Sequence, residues 1–107
     1  MQLSFAADAR RIPARQIADR PEFIILDVRT EEEFKARHVK GAVLIPHDEI
    51  RARAAALPKD KNKRVLVYCR RGIRSRKAAE ELNGMGYANV YDLGGREQWS
   101  REAAIFR

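Results

Sequence analysis

One cysteine stands where an apolar run stops and a cluster of arginines begins: Val65-Leu66-Val67-Tyr68-Cys69-Arg70-Arg71-Gly72-Ile73-Arg74-Ser75. The run before Cys69 reads as a buried strand, and the residues after Ser75 read as a helix. The thiol is therefore expected on a short turn from the C-terminal end of a strand to the N-terminal end of a helix. Open α/β sheets place their ligand sites at that edge. Helix N-termini offer free backbone N–H groups and positive potential to anions. Three arginines within five residues, Arg70, Arg71 and Arg74, add to the field. A cysteine so placed is expected as the thiolate, the nucleophilic form.

Gly72 would let the loop curl so that successive N–H groups point at one spot. No general base flanks the cysteine. His38 and His47 both lie far from it in sequence and read as structural residues, so a Cys–His hydrolase has no support. Arginine planes match tetrahedral oxyanions, with paired N–H donors reaching two oxygens. Phosphate, arsenate, sulfate-like and thiosulfate groups all fit that description. Loop length separates them. Cysteine phosphatases use a C-x5-R spacing, whereas Cys69 to Arg74 is C-x4-R, with Ser75 where the phosphatase arginine would fall. The shorter loop brings its N–H groups closer around the sulfur and suits a persulfide carried on the cysteine. The competing interpretation is a buried, inert strand-end cysteine with arginines that only coat the surface. The surrounding C-R-x-G-x-R-S context argues against it.

The elements that must position this loop recur along the chain. Pro13 at a first helical position predicts a short helix over Ile12–Ala18. Phe23–Val28 is almost continuously apolar, the sign of a strand covered on both faces. Thr30 and Glu33 form a capping box for a helix ending near Arg37. Ala42–Ile45 is a second apolar run, ended by Pro46. Asp48 is expected to start a helix that carries Ile50, Ala54 and Leu57 on one side and stops at Pro58. Arg64–Tyr68 is the third strong strand. Ser75 is expected to cap a helix bearing Ala78, Ala79, Leu82 and Met85, ended by Gly84 and Gly86. Asn89–Leu93 is the last strand. Gly94-Gly95 is expected to turn into a short helix bearing Trp99. Strands alternating with helices of this length predict a parallel sheet with helices on both faces.

The 107 residues are expected to form one domain, and 45% hydrophobic content makes a packed core feasible. No repeat, low-complexity tract or linker is visible. No apolar run approaches the roughly 20 residues that span a bilayer. The N-terminus is a poor signal peptide. One cysteine excludes an intramolecular disulfide and zinc sites built on cysteine pairs. That suits a reducing, cytoplasmic setting, with the periplasm as the alternative if a leader has been removed. The net charge of +7 is lopsided: residues 1–50 carry 8 Lys and Arg against 9 Asp and Glu, residues 51–107 carry 14 against 6. Nucleic acid is not expected as a partner, because no reader motif interleaves aromatics with the charge.

With these residues in place, the chain resembles a single-domain rhodanese, a thiosulfate sulfurtransferase, from about residue 12 to residue 99. Three segments carry the resemblance. The first is Leu26-Asp27-Val28-Arg29 with Glu32, Glu33 and Phe34, continuing through His38-Val39, Gly41-Ala42 and Ile45-Pro46. The second is the Cys69–Ser75 loop. The third is Leu93-Gly94-Gly95 with Trp99. Two departures stand out. Arg37 occupies a position where the family often has Gly, and the tail after Trp99 lacks the usual Gly and Pro.

The resemblance implies a three-layer α/β/α fold with a five-stranded parallel sheet in the order 3-2-4-5-1. It also implies a ping-pong cycle that needs no cofactor and no metal. Cys69 would be the nucleophile, taking the outer sulfur of a donor such as thiosulfate and passing it to cyanide or a thiol. Arg70 and Arg74 would bind the anionic donor, and the backbone N–H groups of Arg70, Arg71, Gly72, Ile73, Arg74 and Ser75 would support the sulfur. Asp27 and Arg29 would lie at the same sheet edge. For Asp27 a salt bridge or cap that fixes the turn is the preferred interpretation over a role near the loop; for Arg29 the two stand level. Two alternatives remain: a carrier module relaying persulfide sulfur to a protein acceptor, and a phosphatase or arsenate reductase, which the loop length disfavours.

Overall fold

The computed structural model describes residues 20–95. Four parallel strands form one sheet: β1 (Phe23–Asp27), β2 (Val43–Leu44), β3 (Arg64–Cys69) and β4 (Val90–Gly95), in the order β2-β1-β3-β4. This is the 3-2-4-5 part of the expected order 3-2-4-5-1, counted without its first strand. That strand, the short helix expected at Ile12–Ala18 and the one bearing Trp99 lie outside the described residues. Among the described residues no helix is long and apolar enough to cross a membrane.

The strands are apolar on both faces because both are covered. In the β1–β3 register Ile24 pairs with Val65, Leu26 with Val67 and Asp27 with Tyr68. Side chains alternate across a sheet, so Leu26, Val65, Val67 and Cys69 share one face. Helix α2 (Ile73–Gly84) packs there with Ala78 and Leu82, joined by Val28, Ile45, Ile50, Leu57 and Tyr87 in one core cluster. Asp27 and Tyr68 belong to the opposite face.

Helix α1 (Glu31–Ala36) begins at the expected capping box. The Glu33 N–H donates to Thr30 Oγ1 at 3.2 Å, and the Thr30 N–H donates to Glu33 Oε1 at 3.0 Å. The helix stops at Arg37, whose φ of −161° is extended backbone. Arginine is therefore unstrained at a position where the family often has glycine. His38 stacks on Phe34 at 3.7 Å between ring centroids, and its Nδ1 lies 2.8 Å from the Phe34 carbonyl oxygen, in keeping with a structural role.

Three expectations need correction. The helix expected from Asp48 is a series of turns closed by a short 3-10 helix over Ala54–Ala56. Only Ile50 and Leu57 are buried there, 1% and 5% exposed, while residues 51–56 face solvent. Two anchors seven residues apart hold the segment without a helical stripe, and a segment this short gains little from helix propensity alone. Second, α2 starts two residues before Ser75. Its N-cap is Gly72, and the Ser75 hydroxyl donates back to the Gly72 carbonyl at 3.1 Å. Third, Gly94 and Gly95 continue β4. They pair with Tyr68 and Cys69 after a bulge that leaves Leu93 extra, and the Asp92 carboxylate accepts from the Gly94 N–H at 2.8 Å.

Candidate active site

Cys69 is the last residue of β3, so its position follows from the central strand pairing rather than from a loose loop. Its side chain is turned into the sheet face that carries α2 and is 1% exposed. The chain leaves the strand through Arg70 and Arg71 and turns at Gly72, where φ is +100°, a conformation open to glycine and costly for other residues. That turn brings the Gly72 N–H to 2.9 Å from Sγ and the Ser75 N–H to 3.3 Å. Two donors at the start of a twelve-residue helix converge on one sulfur. Hydrogen-bond donors of this kind favour negative charge on the atom they surround.

The loop rests on β4. A side chain at Gly95 would place its Cβ 2.6 Å from the Arg70 carbonyl oxygen and 2.6 Å from the Arg71 backbone. Backbone passes over backbone at this point, and only glycine leaves the room.

An open pocket of about 330 Å³ lies above the sulfur, lined by Glu33, Cys69, Arg70, Arg71, Ile73 and Arg74. Arg70, Arg71, Ile73 and Arg74 line it beside the cysteine; of the six loop N–H groups expected around the sulfur, those of Gly72 and Ser75 are the ones bonded to Sγ among the described residues. Arg74 is differently engaged than expected. Its Nη1 donates to Glu33 Oε1 at 2.8 Å and its Nη2 to Glu33 Oε2 at 3.2 Å. The hydrogen bonds from Arg74, with help from Thr30, pull the Glu33 carboxyl down to about 2, and the same pairing raises Arg74.

Asp27 and Arg29 pair with each other and do not line the pocket, although the Arg29 charge is felt by Glu33 and Arg74. Arg29 clasps Asp27 through Nε at 2.9 Å and Nη2 at 2.6 Å, and its own N–H donates to Asp27 Oδ1 at 3.0 Å. Arg29 Nη2 also donates to the Arg37 carbonyl, which ties the start of α1 to its end. Asp27 is fully buried and takes a further bond from the Tyr68 hydroxyl at 2.7 Å. That hydroxyl in turn accepts the Val39 N–H at 3.1 Å. Burial, with the Asp27 charge second, drives the Tyr68 hydroxyl pKa upward, so it acts as a fixed donor. The cluster braces the sheet edge from the face opposite Cys69.

Sequence reasoning missed three residues of this site. Glu33 registered as a cap and as part of the family motif but not as a pocket residue, although an acidic first turn facing a basic loop was the available signal. Tyr68 registered as strand filler, although parallel pairing of its strand with that of Asp27 aligns the two. Gly95 registered as a turn, and its close approach to the loop has no local sequence signal.

The family model for the Rhodanese-like domain matches residues 13–102. The chain belongs to this family. The match covers nearly the span over which the motifs run. The rhodanese-like domain is 44% identical over 70 residues to the thiosulfate sulfurtransferase PspE of Escherichia coli K12, covering 65% of this chain and 67% of that protein. It is 37% identical over 91 residues to the adenylyltransferase and sulfurtransferase UBA4 of Candida albicans, covering 78% of this chain and 21% of the relative. It is 36% identical over 90 residues to a tRNA uridine(34) hydroxylase of Erwinia tasmaniensis, covering 79% of this chain and 26% of the relative. The chain thus spans only about a quarter of the latter two. Among solved structures it is similar to a rhodanese from E. coli determined with anions, at TM-score 0.66 and 41% identity over 70% of this chain and 88% of that one. A rhodanese-like domain from Anabaena shares the fold at TM-score 0.76 over 98% of this chain and 80% of that one, at 24% identity. The chain is a rhodanese-domain member of a sulfurtransferase family.

Proposed function

We propose that this protein moves a sulfane sulfur from a small anionic donor, thiosulfate or a similar species, to a thiophilic acceptor through a persulfide on Cys69. The observation that carries this reading is the pair of N–H groups, from Gly72 and Ser75, aimed at Sγ beneath a pocket edged with arginine. In the first half-reaction the Cys69 thiolate attacks the outer sulfur of thiosulfate. The sulfur–sulfur bond of the donor breaks, sulfite leaves with the electron pair, and the persulfide keeps the negative charge. In the second half-reaction cyanide or a thiolate attacks the terminal sulfur, and the Cys69 thiolate is released. No net oxidant or reductant is needed. The similarity to PspE supports thiosulfate as donor.

A relay to a protein acceptor is the second reading. The similarity to UBA4 favours it, as does the rim of the pocket. Ile73 is 69% exposed there, and Arg71, Arg76 and Lys77 line the adjoining surface with one acidic residue, Glu80. An acidic partner with an apolar contact residue fits that rim.

The test is intact-mass measurement after exposure to thiosulfate. One added sulfur is expected on the wild type and none on Cys69→Ser, whose hydroxyl is nearly isosteric but forms no persulfide. An added sulfur on Cys69→Ser would place the chemistry elsewhere. Turnover of thiosulfate with cyanide, compared with transfer to acidic protein acceptors, separates the two readings.

A further inference from the structure

Glu33 is a pocket wall and a fixed negative charge at once. Its carboxylate lines the space above Cys69 and spans both Nη atoms of Arg74. From behind, the Thr30 N–H and hydroxyl hold Oε1 at 3.0 and 3.1 Å. The capping box therefore supports from behind a carboxylate that Arg74 holds from the front. Both partners stay partly open to solvent, with side-chain exposures of 27% for Arg74 and 23% for Glu33. An incoming sulfonate finds the end-on fork of Arg74 already filled. It must use the remaining N–H groups of that guanidinium beside a carboxylate.

We propose that Glu33 determines donor specificity by charge, acting as a built-in counter-anion that disfavours dianionic donors relative to monoanionic ones. The proposal rests on the sulfur-transfer reading above and names a selector within that site. Repulsion from a fixed carboxylate scales with the charge on the donor, so a dianion is penalised twice as much as a monoanion. The cations of the pocket attract both, and they remain when Glu33 is neutralised. The ratio of the two donor efficiencies therefore reports the Glu33 charge together with the Arg74 fork that it occupies.

The experiment compares thiosulfate, a dianion, with methanethiosulfonate, a monoanion that delivers the same outer sulfur and releases methanesulfinate. Glu33→Gln is the first variant, because Gln at this helix position can still reach back to the Thr30 N–H. Glu33→Met is the second, with neither charge nor cap. Since α1 buries no residue, neither change touches the core. In each folded variant the ratio of kcat/KM for thiosulfate to that for methanethiosulfonate is expected to rise about tenfold, the scale of one unit charge in a half-open pocket. Thr30→Ala, which weakens the cap and keeps the carboxylate, is expected to leave the ratio within about twofold of wild type, since the Arg74 pairing stays. An unchanged or lowered ratio in the Glu33 variants would overturn the proposal and show Glu33 to be a tether only. Intact mass after methanethiosulfonate keeps the two levels apart. If wild-type Cys69 gains no sulfur from either donor, the sulfur-transfer reading itself has failed.

Discussion

Gly95 lies directly under Arg70: the Cβ of any side chain there would sit 2.6 Å from the Arg70 carbonyl oxygen. The obstacle is backbone, which cannot swing aside as a flexible side chain can. The loop that curls around Cys69 is thus seated on the end of β4.

Gly95→Ala is expected to lift this loop. Overpacking of this kind costs about 1–3 kcal/mol, readable as a lower urea midpoint. Sulfur loading on Cys69 is expected to slow by about a hundredfold, the loss that a displacement of about 1 Å can produce. A variant that matched wild type in both readouts would show that the loop carries its own shape.

Tyr68→Phe is expected to separate bracing from chemistry. The change leaves the Val39 N–H without its acceptor and removes one donor from buried Asp27. An unsatisfied buried group costs about 1–3 kcal/mol. Loading of Cys69 is expected within about twofold of wild type, because the cluster occupies the opposite sheet face. Wild-type stability in chemical denaturation would refute the bracing role, and a large loss of loading without a loss of stability would move Tyr68 into the site.

Glu33 is expected to shape the acid limb of stability. Its carboxyl is held down to about 2 in the fold, chiefly by the hydrogen bonds from Arg74, against an ordinary 4.5. The unfolded chain therefore takes up the proton first as pH falls. The stability that Glu33 contributes is complete above about 4.5 and fades between there and about 2. Denaturant midpoints of Glu33→Gln measured across this window are expected to fall less steeply than those of wild type. Parallel curves would mean that the pair adds nothing to folding.

Much of this site is legible in the chain alone, because its determinants are local. A strand of β-branched residues, one cysteine, a glycine and clustered arginines lie within eleven consecutive residues, Val65–Ser75. The capping box at Thr30 and Glu33 is likewise a matter of three-residue spacing. What escaped depends on approach between distant segments. Glu33 meets Arg74 across 41 positions, Tyr68 meets Asp27 across 41, and Gly95 meets the loop through the β3–β4 bulge. The segment after Asp48 misled for another reason. Its Ile50, Ala54 and Leu57 fit a helical stripe, but Ala54 is exposed and the outer two are anchored by the core separately.

The depth of Cys69 has a consequence for how copies of this protein meet. A disulfide needs its two Cβ atoms within about 3.5–4.5 Å. Cys69 is 1% exposed and lies at the foot of its pocket, below the surface that a second copy would meet. That depth works against oxidative self-coupling of two copies. In the proposed sulfur transfer the same depth would favour acceptors slim enough to descend: a linear ion, a small thiol, or the extended end of a peptide.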